Sequence, residues 1–147
     1  MDYGFLIYHK KNSHRETLEN AASFDDLRDL SVIVQTGVGW EEDNIPKYIK
    51  RKVASSIDAA IHYLLNRKFG DILIMPPEQA KHIANKFGYS ENLKFKQVSF
   101  IQNSAIPFHI GIRKKHPKNK QLLLEIEDVL QREDVRLAIN KMLNDYR

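Results

Sequence analysis

The sequence predicts an α/β layered fold with a largely parallel sheet, and two observations carry that prediction. Val32-Ile33-Val34 and Ile72-Leu73-Ile74 are short apolar runs, rich in β-branched residues, of the kind that fill strands covered on both faces. Around them lie segments whose apolar residues recur at helical spacing, punctuated by glycine and proline. Buried strands alternating with helices build helical layers on a sheet.

Taken in order, Gly4 to Tyr8 reads as a strand that emerges into solvent at His9-Lys10-Lys11. Asn12 to Asn20 is polar and begins as a loop. Ser23 can cap a short helix with Asp25 and Asp26 in its first turn, turning Phe24, Leu27 and Leu30 inward. That helix delivers the chain into a strand at Ser31. Past the glycines of Thr36-Gly37-Val38-Gly39-Trp40, Glu42 to Lys50 carries Ile45, Tyr48 and Ile49 at helical spacing, with Pro46 tolerable only in the first turn. Lys52-Val53-Ala54 is a candidate short strand. Ser56 caps the helix of Ile57, Ala60, Ile61, Leu64 and Leu65, with Arg67 and Lys68 at its end and Gly70 as a left-handed stop.

Asp71 to Met75 is a second buried strand, closed by Pro76-Pro77. Pro77 can open a helix through Phe87 with Ala80, Ile83, Ala84 and Phe87 on its inner face, and Gly88 ends it. Lys94 to Ile101 reads as a strand. Ile106, Phe108, Ile110 and Ile112 alternate with Pro107, His109, Gly111 and Arg113, which marks a strand with one covered face. Two helices finish the chain: Lys118 to Arg132, burying Leu122, Leu123, Ile126, Val129 and Leu130, and Asp134 to Tyr146, burying Val135, Ala138, Ile139, Met142 and Leu143.

At 147 residues the chain is one domain's worth. Cysteine is absent, which removes disulfides, thiol nucleophiles and thiolate metal sites together. No apolar run approaches the roughly 20 residues that cross a bilayer, so membrane insertion is not expected. The first eight residues are too short and wrongly flanked for a signal peptide, which makes the chain cytoplasmic if Met1 is its natural start. The formal charge of +4 gathers at His9-Lys10-Lys11, at Lys47 with Lys50-Arg51-Lys52, and around Arg113-Lys114-Lys115-His116. A nucleic-acid surface shows a continuous basic stripe with aromatics among the bases; here each cluster ends an apolar element, where solvated charge belongs anyway. Nucleic acid is therefore not the expected partner.

The turn after Gln35 is the candidate site. Strand, glycine turn and helix in that order aim free backbone N–H groups at one spot, which suits an anionic group on a ligand. The same glycines would also serve a tight strand-to-helix connection with no ligand. Trp40, just past the turn, could stack on a ligand or pack against its own chain. The six histidines lack the spacing of a helical zinc site, and read as solvated. Of the carboxylates Glu41, Glu42, Asp43, Asp58, Asp71 and Glu78, most stand at helix starts, where acids are favoured without catalytic duty. Asp71 follows a glycine and reads as a turn-bonding residue. No nucleophile elbow, phosphate loop or complete dinucleotide fingerprint occurs. Neither catalytic residues, a metal site nor a cofactor is expected.

Three segments resemble the second half of bacterial extracellular solute-binding proteins of family 3. They are Ser23 to Gly37, Ser56 to Asp71, and Pro107-Phe108-His109-Ile110-Gly111-Ile112-Arg113-Lys114 followed by the closing helices. The resemblance implies a three-layer α/β lobe of a type II periplasmic-binding-protein-like fold with two C-terminal helices. It implies 1–22 as hinge strand and linker, 23–113 as the second lobe, and 114–147 as helices that pack on a first lobe missing from this chain. It further implies non-enzymatic binding of a small polar or anionic solute, a periplasmic parent form, and an ABC-transporter membrane subunit as partner. The ligand-binding positions it implies are Thr36, Gly37, Val38, Gly39, Trp40, Met75 and Pro76. Met75 and Pro76 stand where the family's amino-acid binders place an aspartate for the ligand ammonium, and neither can carry that charge.

One lobe encloses less than the roughly 70–90% of a ligand that a pocket buries. Binding near millimolar, or none, is expected from this chain alone. Self-association through the face that would meet the first lobe is a further expectation. A different reading makes the chain a basic interaction module for nucleic acid or a protein partner, working through its lysine-rich strand ends.

Overall fold

The computed structural model describes residues 2–65, 69–107 and 109–145. It divides into two compact units, Met1–Ile106 and Pro107–Arg147. The expectations for Arg67, Lys68, Phe108, Tyr146 and the side chain of Leu143 lie outside the described residues.

In the first unit, five strands form one sheet among the described residues: β1 (Phe5–His9), β2 (Ser31–Gln35), β3 (Lys50–Ala54), β4 (Ile72–Ile74) and β5 (Leu93–Gln97). Their spatial order is β3-β2-β4-β1-β5. β2 runs parallel to β3 and β4. β1 runs antiparallel to β4 and β5, so the sheet is mixed rather than largely parallel. An apolar run buried on both faces reads the same in either direction, so Phe5-Leu6-Ile7-Tyr8 carries no sign of its polarity.

Helices α1 (Arg15–Asn20), α2 (Gly39–Asn44), α3 (Ile57–Leu65) and α4 (Pro77–Lys86) connect the strands, with short 3₁₀ turns at Asp25–Leu27 and Ser90–Asn92. Alternation along the strands divides the core between two faces. Leu6, Tyr8, Val32, Val34, Ile72 and Ile74 pack with Leu18, Leu27, Leu30, Ile45 and Ile49. Ile7, Ile33 and Leu73 pack on the other face with Ala60, Ile61, Leu64, Ala80 and Ala84 from α3 and α4. The result is three layers. Each wholly buried leucine or isoleucine contributes about 1.5–3 kcal/mol of transfer free energy.

Several local expectations are corrected. Asn12 to Asn20 begins as a loop, as expected, and continues as α1: Leu18 is buried, and an Arg15–Glu19 ion pair one turn apart supports the helix. Ser23 caps nothing; instead the Asp26 carboxylate accepts bonds from the Ala22 and Ser23 N–H groups and the Ser23 hydroxyl. The helix placed at Glu42 to Lys50 forms earlier, at Gly39–Asn44. Pro46 explains the shift: the residue before a proline is driven out of helical geometry, and Ile45 is extended at φ −88°, ψ 124°. Freed from the helix, Lys50 pairs with Ser31 and opens β3 two residues early.

Gly70 has no left-handed backbone; positive-φ glycines among the described residues are Gly37 and Gly88. Its role is clearance, because a Cβ there would overlap the Ile33 side chain. Asp71 does act through its bonds: its carboxylate takes the Ser31 N–H at 2.8 Å and the Ser31 hydroxyl at 2.7 Å, joining the starts of β2 and β4. The Lys94–Ile101 strand is shorter, because the β5 ladder ends where Gln97 meets Phe5. The alternation from Ile106 to Arg113 produces no strand among the described residues, and Ile110 is exposed. Alternation suits a half-covered strand, but only a neighbouring ladder makes one.

The second unit holds α5 (Asn119–Gln131) and α6 (Glu133–Asp145). Leu122, Ile126, Val135 and Ile139 are half-buried, while Leu123, Val129, Leu130 and Met142, expected inside, are exposed. Ala138 is exposed as well. Two helices cannot enclose the apolar faces of both. Among the described residues no helix is long and apolar enough to cross a membrane.

Candidate functional site

Because β2, β3 and β4 run the same way, the segments that leave them emerge at one edge of the sheet. These are Thr36 to Trp40 after β2, Ser55-Ser56 after β3 and Met75-Pro76 after β4. β1 runs the opposite way, so its start at Asp2-Tyr3-Gly4 lies at the same edge. The connection from β2 leads outward to β3, and the next one crosses back to β4 on the other side of β2. The two connections also use opposite faces, with Ile45 and Ile49 on one and α3 on the other. The strand order therefore reverses between β2 and β4, and in open α/β sheets ligands sit outside the carboxyl ends of the strands at such a reversal.

The glycine turn occupies that position. Thr36 is tied to β3 twice, its N–H at 3.0 Å and its hydroxyl at 3.3 Å donating to the Ala54 carbonyl. Gly37 adopts φ +82°, a left-handed conformation that disfavours any side chain. The Val38 N–H closes the turn onto the Gln35 carbonyl at 3.3 Å. Thr36 and Val38 have thus spent their amides on the turn itself. Gly37 and Gly39 are exposed, and nothing stands within 4 Å of where a Cβ on either would be. The backbone there is open to approach.

Trp40 is half-buried and engaged by its own chain. Its ring stacks on Tyr3, with centroids 4.2 Å apart and planes at 23°. Its indole N–H donates to the Asn103 carbonyl at 2.9 Å. Asn103 has a left-handed backbone, φ 52°. Met75 and Pro76 are both buried, Met75 in the cluster beneath α3 and α4. The structure thus brings the seven expected positions to one edge, with Thr36, Gly37 and Gly39 at the surface and Met75 and Pro76 inside.

Glu41 is the residue that sequence reasoning passed over, as one acid among several at helix starts. It is 5% exposed, and its carboxylate accepts the Gln35 N–H at 2.6 Å, bridging the two ends of the glycine turn. Burial pushes its carboxyl up to about 7, against the Gln35 hydrogen bond and the Arg51 charge, which favour ionisation. The Tyr3 phenol is raised too, first by burial and then by the Glu41 charge. A glutamate two residues after a glycine turn, bracketed by a buried strand, is a signal for such a bridge only once the helix start is known to be Gly39.

At the opposite edge, where β1 ends, a cavity of about 340 Å³ is lined by His9, His62, Leu65, Tyr89 and Asn92. The His62 ring lies 4.7 Å from that of Phe87. Among the described residues no three His, Cys, Asp or Glu side chains converge to hold a metal ion.

No protein-family model and no curated protein matches the chain. Its fold does match solved structures. One is the substrate binding protein of an amino acid ABC transporter, with a TM-score of 0.65 and 18% identity over 99% of this chain and 61% of that one. Another is the GluR0 ligand binding core in complex with L-glutamate, with a TM-score of 0.53 and 15% identity over 99% of this chain and 60% of that one. The chain spans about three-fifths of the length of each. The likeness is one of fold: an α/β lobe with a mixed sheet and two C-terminal helices, of the type II periplasmic-binding-protein-like kind.

Proposed function

We propose that this chain binds a small polar or anionic solute, without catalysing a reaction, as part of a substrate-binding protein of an ABC transporter or of a related sensor. The observation that supports this most is the open glycine turn at the carboxyl end of β2, placed where the strand order reverses. In this reading Gly37 and Gly39 offer their amides to an acidic group on the solute, with Thr36 and Val38 holding the turn in shape. Trp40 borders the site, and Met75 and Pro76 form its uncharged floor. The two solved structures concern amino acids, which carry a carboxylate. The absence of charge at Met75 and Pro76 favours an anionic solute over one that also needs its ammonium paired.

The division of labour belongs to the same proposal. Residues 23–113 serve as the second lobe and 1–22 as hinge strand and linker, with β1 reaching into the sheet between β4 and β5. Residues 114–147 close on a first lobe that supplies the other wall of the crevice. The exposed Leu123, Leu124, Val129, Leu130, Leu137 and Met142 give those helices an apolar face for it, and in its absence a face for self-association. A transporter's membrane subunit is the partner of the assembled protein, in the periplasm. One wall alone leaves affinity near millimolar.

Isothermal titration calorimetry against a panel of amino and organic acids tests the reading. Saturable heat near millimolar solute, lost in Gly37→Asp with the fold retained by circular dichroism, supports it. Silence across the panel at tens of millimolar counts against it.

A further inference from the structure

The buried Glu41 carboxylate spans the glycine turn from below. Its own helix starts only two residues earlier, and the Gln35 N–H it accepts belongs to the last residue of β2. That single bond joins the strand that enters the turn to the helix that leaves it. Among the described residues Glu41 is the only charged side chain that is buried. The charged and titratable groups acting on it are few: Arg51 on β3, Glu42 on its own helix, and Tyr3 from the segment before β1. Arg51 does not neutralise it by contact. Its guanidinium donates to the Ile45 carbonyl at 2.6 Å, and its Nε is buried without a partner. Tyr3, in turn, carries the Trp40 ring.

We propose that Glu41 is a proton-operated latch on the glycine turn: the neutral carboxyl stays seated beneath Gln35 and keeps Thr36 to Trp40 in place, and the ionised carboxylate is driven toward water, loosening the turn and the Tyr3–Trp40 stack. A buried carboxylate without a salt-bridge partner is disfavoured when charged, so exposure becomes the favourable response to losing the proton. The turn moves with it, because the bond it breaks is the one across the turn. Burial places the change near neutral pH.

The consequence for ligands rests on the proposed solute site. An anion on Gly37 and Gly39 adds negative charge above the carboxyl, so its capture favours the protonated latch and draws in a proton. Affinity for such a solute then falls up to about tenfold for each pH unit above the midpoint.

The test of the latch uses no solute, so its failure and the failure of the binding reading are separable. Trp40 is the sole tryptophan of the chain and reports the turn directly. Its fluorescence is followed from pH 5 to 8.5 in the wild-type chain and in Glu41→Gln, which keeps the shape and removes the titration. The expected result is a sigmoidal change in the wild type centred near pH 7, absent from Glu41→Gln. No wild-type transition, or the same transition in Glu41→Gln, overturns the proposal. If Glu41→Gln does not fold, hydrogen exchange at the Gln35 amide in the wild type decides. Protection, after division by the intrinsic rate, that falls between pH 6 and 8 supports the latch, and constant protection overturns it.

Discussion

The indole of Trp40 lies on the phenol ring of Tyr3, centroids 4.2 Å apart, and reaches past it to donate to Asn103. Thirty-six residues of sequence lie between the two, and the contact pins the far end of the glycine turn to the segment that leads into β1. Removing the phenol ring takes away one face of the indole's packing and about 0.5–1.5 kcal/mol of ring–ring interaction, in addition to lost burial. Tyr3→Ala is expected to lower stability by about 3 kcal/mol and to shift Trp40 emission to the red. Urea unfolding and the native emission maximum check both parts.

Gly70 stands against the side chain of Ile33, which packs in the core cluster beneath α3 and α4. A methyl group there requires the Ile33 side chain or the strand beneath it to move, and overpacking of this kind costs about 1–3 kcal/mol. Gly70→Ala should therefore be destabilised by that amount. Adding Ile33→Val should recover part of the loss, because the shorter side chain vacates some of the contested space. A double-mutant cycle by urea unfolding measures the recovery, and simple additivity would place the strain elsewhere.

The pH dependence of stability follows from Glu41. Its folded-state carboxyl, at about 7, lies above its unfolded value near 4.5, so the native chain binds more protons between those limits. The contribution is complete below pH 4.5 and is lost as pH rises through 7, beyond which it stays lost. Its full size is roughly 3 kcal/mol, as an upper bound. Wild type and Glu41→Gln should therefore differ in the slope of stability against pH between 5 and 7.5, with the variant flatter. Equal slopes would show that Glu41 does not titrate in this interval.

The exposed apolar side chains of α5 and α6 bear on the state of the chain in solution. Leu124 and Leu137 are 66% and 62% exposed. Leu124→Lys with Leu137→Lys should leave both helices intact and reduce self-association. Sedimentation velocity over a concentration series reads the change. A wild-type chain that is monomeric at hundreds of micromolar removes self-association from the account.

Much of the scaffold was legible because its signals are local. Val32 to Val34 and Ile72 to Ile74 are short, mostly β-branched apolar runs that fit buried strands, and both form them. The spacing of Ile57, Ala60, Ile61 and Leu64, and that of Ala80 and Ala84, suits the inner face of a helix, and α3 and α4 bury Ala60, Ile61, Leu64, Ala80 and Ala84 there. What failed to show was non-local. Strand direction is set by which neighbours are available, so the antiparallel placement of β1 left no mark in Phe5 to His9. Trp40 has Tyr3 and Asn103 as partners, far away on both sides, and its neighbours in sequence predict neither. Glu41 does stand in the first turn of α2, where an acid is at home for the helix alone, so its further bond to the Gln35 N–H leaves no separate mark in the sequence. The residues from Ile106 to Arg113 show the reverse error, a pattern suited to a strand without a ladder to join.

The claim on which the rest depends is that the turn after β2 receives a solute. Amide chemical shifts of the ¹⁵N-labelled chain, followed while a panel of amino and organic acids is titrated to tens of millimolar, test it most directly. The account predicts saturable shifts centred on Gly37 and Gly39, with smaller ones at Gln35 and at the Trp40 indole N–H. Unmoved resonances at Gly37 and Gly39, or shifts confined to His62, Tyr89 and Asn92 at the opposite edge, would contradict it.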